Sequence, residues 1–204
     1  PIIGSDIIRT SKNDFCVLED NCRIPSGVSY MIENREIMMR MFPDIFQQMK
    51  VESVDNYPQH LLNTLMSLKP KNCYGEPNVV LLTPGPLNSA YYEHTYLADT
   101  MGIELVQGSD LYVEDGLTYM MTTVGPKKID VIYRRIDDKF LDPLSYDNSS
   151  LIGIPGLFDS YKSNNLTIAS APGSGIADDK AIYAYLPKII KFYLGENPIL
   201  SNIK

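Results

Sequence analysis

The chain has 204 residues, 44% of them hydrophobic and 21% charged, which is enough to bury a core and ordinary for a globular protein. Its formal net charge of -7, from 18 Lys+Arg against 25 Asp+Glu, argues against nucleic acid or an anionic membrane as a partner and leaves small molecules, metal ions or protein. Three cysteines without C-x-x-C spacing point to free thiols in a reducing, cytoplasmic compartment rather than a zinc site, and no apolar run is long enough to span a membrane.

In chain order, Pro1–Arg9 and Phe15–Asn21 read as two strands around the polar turn Ser11-Lys12-Asn13-Asp14. From Ser29 a helical pattern follows, with Met38, Met41, Phe42, Ile45 and Met49 at helical spacing and Pro43 ending one helix and starting the next. A further helix is predicted over Pro58–Leu68, with Asn56 as its cap. Residues 69–77, rich in proline and glycine, are the predicted domain boundary. Beyond it come a buried-type strand Val79–Thr83, a helix Ala90–Met101 ended by Gly102, and a strand Ile103–Val106. Leu111–Val113 and Thr118–Met121 form a hairpin around Asp115-Gly116. The remaining elements are a strand Ile129–Tyr133, a helix Leu157–Lys162, a strand Leu166–Ala169 and a helix Asp178–Leu194 disturbed by Pro187. Strand, helix, strand in this order predicts an α/β fold with a parallel sheet. The opening on Pro1, with no signal peptide, fits a piece cut from a longer protein.

The first hairpin carries the chemistry. A four-residue turn that makes Thr10 face Phe15 also makes Asp6 face Glu19, with Cβ atoms about 4.5–5.5 Å apart. Opposed carboxylates repel unless a cation lies between them. Side chains alternate along a strand, so Phe15, Val17, Glu19 and Asn21 share one face. Asp6, Glu19 and Asn21 then converge as three hard oxygen donors, suited to Mg²⁺ or Mn²⁺. Arg23, two residues on, is placed to touch a phosphate oxygen. Spacing alone equally allows both carboxylates to point into solvent from an edge hairpin.

The run Gly4-Ser5-Asp6-Ile7-Ile8-Arg9 followed by Val17-Leu18-Glu19-Asp20-Asn21-Cys22-Arg23-Ile24-Pro25-Ser26-Gly27 resembles the metal-binding strands of ATP-grasp enzymes. Longer segments resemble the circularly permuted type 2 ATP-grasp family over nearly the whole chain: residues 17–35 (VLEDNCRIPSGVSYMIENR), 81–111, 129–144 and 175–200. The resemblance implies a C-terminal-type ATP-grasp segment over residues 1–70, placed first by the permutation. A Rossmann-like pre-ATP-grasp domain over 75–170 follows, and 171–204 begins the first ATP-grasp subdomain. It further implies an ATP- and Mg²⁺-dependent ligase for carboxylate and amine substrates that are small or peptide-like. Asp6, Glu19 and Asn21 would hold metal, and Arg23 would stand near the transferred phosphoryl group. Lys180, in Asp179-Lys180, would contact nucleotide phosphates, unless it is a solvated helix residue.

Arg134 and Arg135 end a buried-type strand, where ligands of open α/β sheets gather, and are candidates for a phosphate or carboxylate. The competing reading is a structural ion pair with Asp137 or Asp138. Asn88, Glu93 and His94 follow the strand at Val79–Thr83 and are weaker cleft candidates, His94 reading first as a packing residue. Gly173-Ser174-Gly175 could cradle phosphate but matches no P-loop or dinucleotide fingerprint. The second lysine and glycine-rich loop of the ATP-grasp clamp are absent from the sequence, so the isolated chain is expected to be inactive. Two other classes compete: a non-catalytic module that docks a protein partner, and a Rossmann-type oxidoreductase on residues 79–101, which lacks the glycine fingerprint.

Overall fold

A computed structural model describes residues 2–12 and 14–203; Pro1, Asn13 and Lys204 lie outside the described residues, and with them the expected strand start at Pro1 and the Asn13 position of the turn. The elements are β1 (Gly4–Arg9), β2 (Phe15–Asn21), α1 (Val28–Met41), α2 (Pro43–Met49), α3 (Tyr57–Ser67), β3 (Val79–Leu82), α4 (Tyr91–Met101), β4 (Glu104–Val106), β5 (Leu111–Glu114), β6 (Leu117–Thr122), β7 (Gly125–Lys128), β8 (Val131–Arg134), α5 (Leu157–Lys162), β9 (Thr167–Ala169), α6 (Lys180–Tyr183), α7 (Leu186–Leu194) and β10 (Ser201–Asn202). Short 3₁₀ turns cover Gly108–Asp110, Asp138–Phe140 and Ser174–Asp178. The chain divides into two compact units, one of Ser26–Ala169 and one of Pro1–Pro25 with Ser170–Lys204. Residues 69–77 fall inside the first of these.

The larger unit is built on a four-stranded parallel sheet in the order β4-β3-β8-β9. A parallel sheet is covered on both faces, so its strands must be apolar throughout. Every residue of β3 (VVLL) and β8 (VIYR) is buried. Val80, Leu82, Ile132 and Ile168 form one core with Leu157 from α5 and Leu111 and Met120 from β5 and β6. Gly102 takes a left-handed conformation (φ 68°) at the end of α4, which glycine adopts without strain. Strands β5, β6 and β7 form an antiparallel meander. Its first turn places Asp115 at φ 50° and Gly116 at φ 72°, as a two-residue hairpin turn of this hand requires.

Among the helices, Pro43 separates α1 from α2: it donates no hydrogen bond, so α1 closes with the Phe42 amide on the Met38 carbonyl. Asn56 precedes α3 as expected but does not cap it through its side chain; its amide nitrogen lies 3.0 Å from His60 Nε2 instead.

The smaller unit has a three-stranded sheet, β1-β2-β10, with β1 antiparallel and β10 parallel to the central β2. Among its described residues no apolar side chain is fully buried. The single helix expected over Asp178–Leu194 is three pieces: the turn Ser174–Asp178, then α6, then α7. Proline explains the break. A continuous helix would need an amide hydrogen at Pro187, so a new helix starts just before it, with Pro187 in its first turn. α7 then ends on Gly195 at φ 72°. At the coarse level the mixed α/β expectation holds, with one parallel, one antiparallel and one mixed sheet.

Candidate functional site

In the smaller unit Asp6 pairs directly with Glu19 across β1 and β2. The route to that pairing differs from the expectation. Phe15 faces Arg9, not Thr10, and a bulge follows: Ile7 pairs with Val17, Asp6 with Glu19, and Leu18 has no partner between them. The extra residue offsets the one-residue error in the turn and restores the expected register at the carboxylates. From Glu19 onward the pairing is regular, with Ser5 opposite Asp20 and Gly4 opposite Asn21. Glu19 and Asn21 therefore share a face, while Ser5 Oγ donates to Asp20 on the other. The bulge interrupts the alternation that was to carry that face back to Val17 and Phe15.

Asp6 is exposed, and Glu19 and Asn21 are half-buried. Lys180, the first residue of α6, brings Nζ to 3.2 Å from Glu19 Oε2. Asp179 caps α6 by accepting from the Ala181 amide at 2.8 Å, which fixes where Lys180 leaves the helix. Glu19 and Lys180 line one cavity of about 480 Å³ with Leu18, Tyr183, Pro187 and Asn202. The donor set fits a hard cation: two carboxylates in register, an amide oxygen on the same face, and an ammonium already placed against the excess negative charge. Among the described residues no group of three or more His, Cys, Asp or Glu side chains is gathered as a metal site. The candidate contains two such residues and an asparagine.

Arg23 lies just past β2, half-buried. Its Nε is 3.6 Å from Asp178 Oδ2, and a Cβ on Gly175 would sit 3.0 Å from its Cδ. Gly173-Ser174-Gly175 opens the turn that carries Asp178, with Gly173 at φ 90°. Burial and the Asp178 carboxylate both push the Cys22 thiol up. Cys16, Cys22 and Cys73 are free.

Arg134 and Arg135 lie in the larger unit with their side chains fully buried. Arg134 Nη2 is 2.7 Å from Asp138 Oδ1, and its Nη1 donates to the Ile136 carbonyl at 2.9 Å. Arg135 Nη2 is 3.2 Å from Glu93 Oε1, and its Nη1 donates to the Tyr133 hydroxyl at 3.0 Å. Both guanidiniums thus meet carboxylates of their own unit. Glu93 is the residue whose role the sequence did not reveal. Its Oε2 accepts from the amides of Gly27 (2.7 Å) and Ser29 (3.1 Å) and from Ser29 Oγ (2.9 Å), at the N-terminal end of α1. A carboxylate there completes orphan donors and complements the helix dipole. Asn88 Oδ1 accepts from the Ala90 amide just ahead of α4.

His94 packs against Thr83, with Nδ1 2.8 Å from Oγ1. Burial, then the nearby Arg135 charge, lower its pKa to about 4. The ordinary value in an unfolded chain is about 6.5. The folded state therefore resists the proton that the unfolded state takes up, and stability is lost as pH falls from about 6.5 toward about 4. Imidazole NMR resonances of His94 are expected to stay constant from about pH 8 down to about pH 5.5, with urea stability declining below about pH 6.5. A midpoint for His94 near its ordinary value would contradict this.

The fold and the hairpin together define an α/β protein with a lysine-flanked, oxygen-donor pair of strands. The profile of the circularly permuted ATP-grasp type 2 family matches residues 1–204. The chain is 50% identical over 202 residues to an uncharacterized protein of Synechocystis sp. (strain PCC 6803), covering 99% of this chain and 42% of that one. An uncharacterized protein of Mycobacterium tuberculosis (strain H37Rv) is 49% identical over 203 residues, covering 100% of this chain and 37% of that one. A Frankia alni protein with the provisional name glutamate–cysteine ligase is 36% identical over 200 residues, covering 98% of this chain and 23% of that one. The chain belongs to the circularly permuted type 2 ATP-grasp family. It spans less than half the length of these curated relatives.

Proposed function

We propose that the full-length protein to which these residues belong is an Mg²⁺- and ATP-dependent ligase that joins a carboxylate to an amine. The observation that carries this reading is the register of Asp6 against Glu19, with Asn21 on the same face and Lys180 Nζ 3.2 Å from Glu19. Family membership supports it. The name of the Frankia relative points to amino-acid-like or peptide-like substrates.

In this reading Asp6, Glu19 and Asn21 hold the divalent ion, Mg²⁺ or Mn²⁺. The bound ion supplies neutralisation of charge on the β- and γ-phosphates. Lys180 binds a phosphate oxygen as a point charge, exchanging its contact with Glu19 for one with nucleotide. Arg23 faces the transferred phosphoryl group. The γ-phosphoryl group passes from ATP to a substrate carboxylate oxygen, leaving ADP and an acyl phosphate. The amine lone pair then attacks the acyl carbon, phosphate departs with the bonding pair, and the amine loses a proton. No protein nucleophile takes part. A cytoplasmic setting suits the three free thiols.

The strands carrying the proposed donors belong to a unit without a fully buried apolar side chain among its described residues, which supports inactivity of the 204 residues alone. Calorimetry with a non-hydrolysable ATP analogue tests the reading. The full-length protein is expected to bind it only with Mg²⁺ present, and the 204-residue chain to show no ATP turnover. The exposed apolar side chains of α1 and α2, among them Met31, Ile37, Met41, Ile45 and Met49, favour the rival reading of a protein-docking module. That rival predicts no Mg²⁺-dependent nucleotide binding by the full-length protein.

A further inference from the structure

Asp178 stands 155 residues from Arg23 in sequence and meets it at the end of β2. One carboxylate oxygen, Oδ1, accepts from two successive backbone amides, Cys22 at 2.5 Å and Arg23 at 3.2 Å. The other, Oδ2, lies 3.6 Å from Arg23 Nε. The Asp178 side chain is 17% exposed and that of Arg23 40%. Immediately after Asp178 come the cap Asp179 and then Lys180, whose ammonium reaches back to Glu19 on the same strand. Gly175, in the same turn, passes so close to Arg23 that any side chain there would press on its Cδ. The segment that bears Lys180 is thus fastened to the strand that bears Glu19 and Asn21 at two places, and Asp178 makes the inner one.

A carboxylate spanning two consecutive amides fixes a backbone more firmly than an ordinary side-chain pair, because charge-assisted hydrogen bonds are short and about twice as strong as neutral ones. The amides it holds follow Asn21 directly, so the orientation of Asn21 and Arg23 depends on it. We infer that Asp178 is a positioning residue: it sets the Lys180-bearing turn against β2 and aims Arg23, so that lysine, arginine and the oxygen donors act on one phosphate group. This role rests on the function proposed above. In this role Asp178 acts through the Cys22 and Arg23 backbone and the Arg23 side chain.

The test uses the full-length protein. Asp178→Asn keeps an oxygen acceptor for the two amides and removes the charge beside Arg23, so the protein remains folded. It is expected to lower kcat for Mg-ATP turnover roughly 10- to 100-fold, the usual effect of removing a residue that orients a functional group. Arg23→Ala is measured alone and combined with Asp178→Asn. If Asp178 acts through Arg23, the added loss in the double variant is under about threefold, because coupled residues are not additive. Hydrogen exchange supplies a readout free of activity: the Cys22 and Arg23 amides are expected to exchange slowly in the unsubstituted protein and fast in Asp178→Ala. Undiminished kcat in Asp178→Asn, or losses that multiply fully in the double variant, would overturn the positioning role. Absence of Mg-ATP turnover in the unsubstituted protein, with both amides still protected, would overturn the functional reading and leave the latch as structure. Fast exchange of both amides in the unsubstituted protein would overturn the latch itself.

Discussion

Replacing Asn21 with Ala in the full-length protein is expected to cut Mg-ATP turnover by at least about a hundredfold, within the range seen when a single electrostatic stabiliser is removed. The structural reason is narrow. Asn21 shares the face of Glu19 at a two-residue step within the regular part of β2, and Glu19 faces Asp6. Those positions offer one neutral and two anionic oxygen donors. An octahedral Mg²⁺ site holds few protein ligands and completes its shell with water and phosphate, so losing one of three leaves little to define it. The fold is expected to survive. Asn21 is half-buried at the end of β2, opposite Gly4, and truncation there removes no core packing. Unfolding free energies of variant and parent from urea titration should agree to within about 0.5 kcal/mol. Full turnover by the variant would remove the metal assignment. A large loss of stability would show instead that Asn21 serves the sheet.

Much of this hairpin was legible because strand alternation and turn chemistry are local. The Asp6–Glu19 register followed from counting, yet the count was right for an incomplete reason. The turn is one residue longer on the β1 side than expected, and the bulge at Leu18 makes up the difference. Bulges have no dependable sequence mark, so only coordinates reveal one. The Asp115-Gly116 turn was plain, since both positions need positive φ and Asp-Gly supplies it. The two-residue strand β10 was missed: its pairing with β2 depends on a contact across some 185 residues, not on any local pattern. The family resemblance singled out Lys180 as a phosphate contact, but its ion pair with Glu19 was not foreseen, because 161 positions separate them. Arg134 and Arg135 show the opposite case. Their position at the end of a buried strand suggested ligand binding. The competing ion-pair reading named Asp138, which meets Arg134, while Glu93, which meets Arg135, was in view without a way to pair it.

Glu93→Ala is expected to destabilise the larger unit by about 3–5 kcal/mol, the usual cost of breaking a buried ion pair from one side. Neither Glu93 nor Arg135 has an exposed side chain, so removing the carboxylate strands a guanidinium away from water. The loss has a second part. Glu93 Oε2 takes the Gly27 and Ser29 amides and the Ser29 hydroxyl, so the same substitution uncaps α1, and Ser29 is itself fully buried. One side chain on α4 therefore ties the end of β8 to the start of α1. Its surroundings are dry enough that burial pushes the Tyr57 phenol up to about 12 and raises Tyr133 as well. Paired apolar replacement separates the two contributions. Glu93→Leu with Arg135→Met removes both charges, so it should regain part of the loss but not the part owed to the α1 amides. Urea unfolding of the single and double variants measures this. A single-variant cost below about 1 kcal/mol would mean that water reaches Arg135, and the parallel sheet would then have an accessible site beyond β8 where the structure places a closed ion pair.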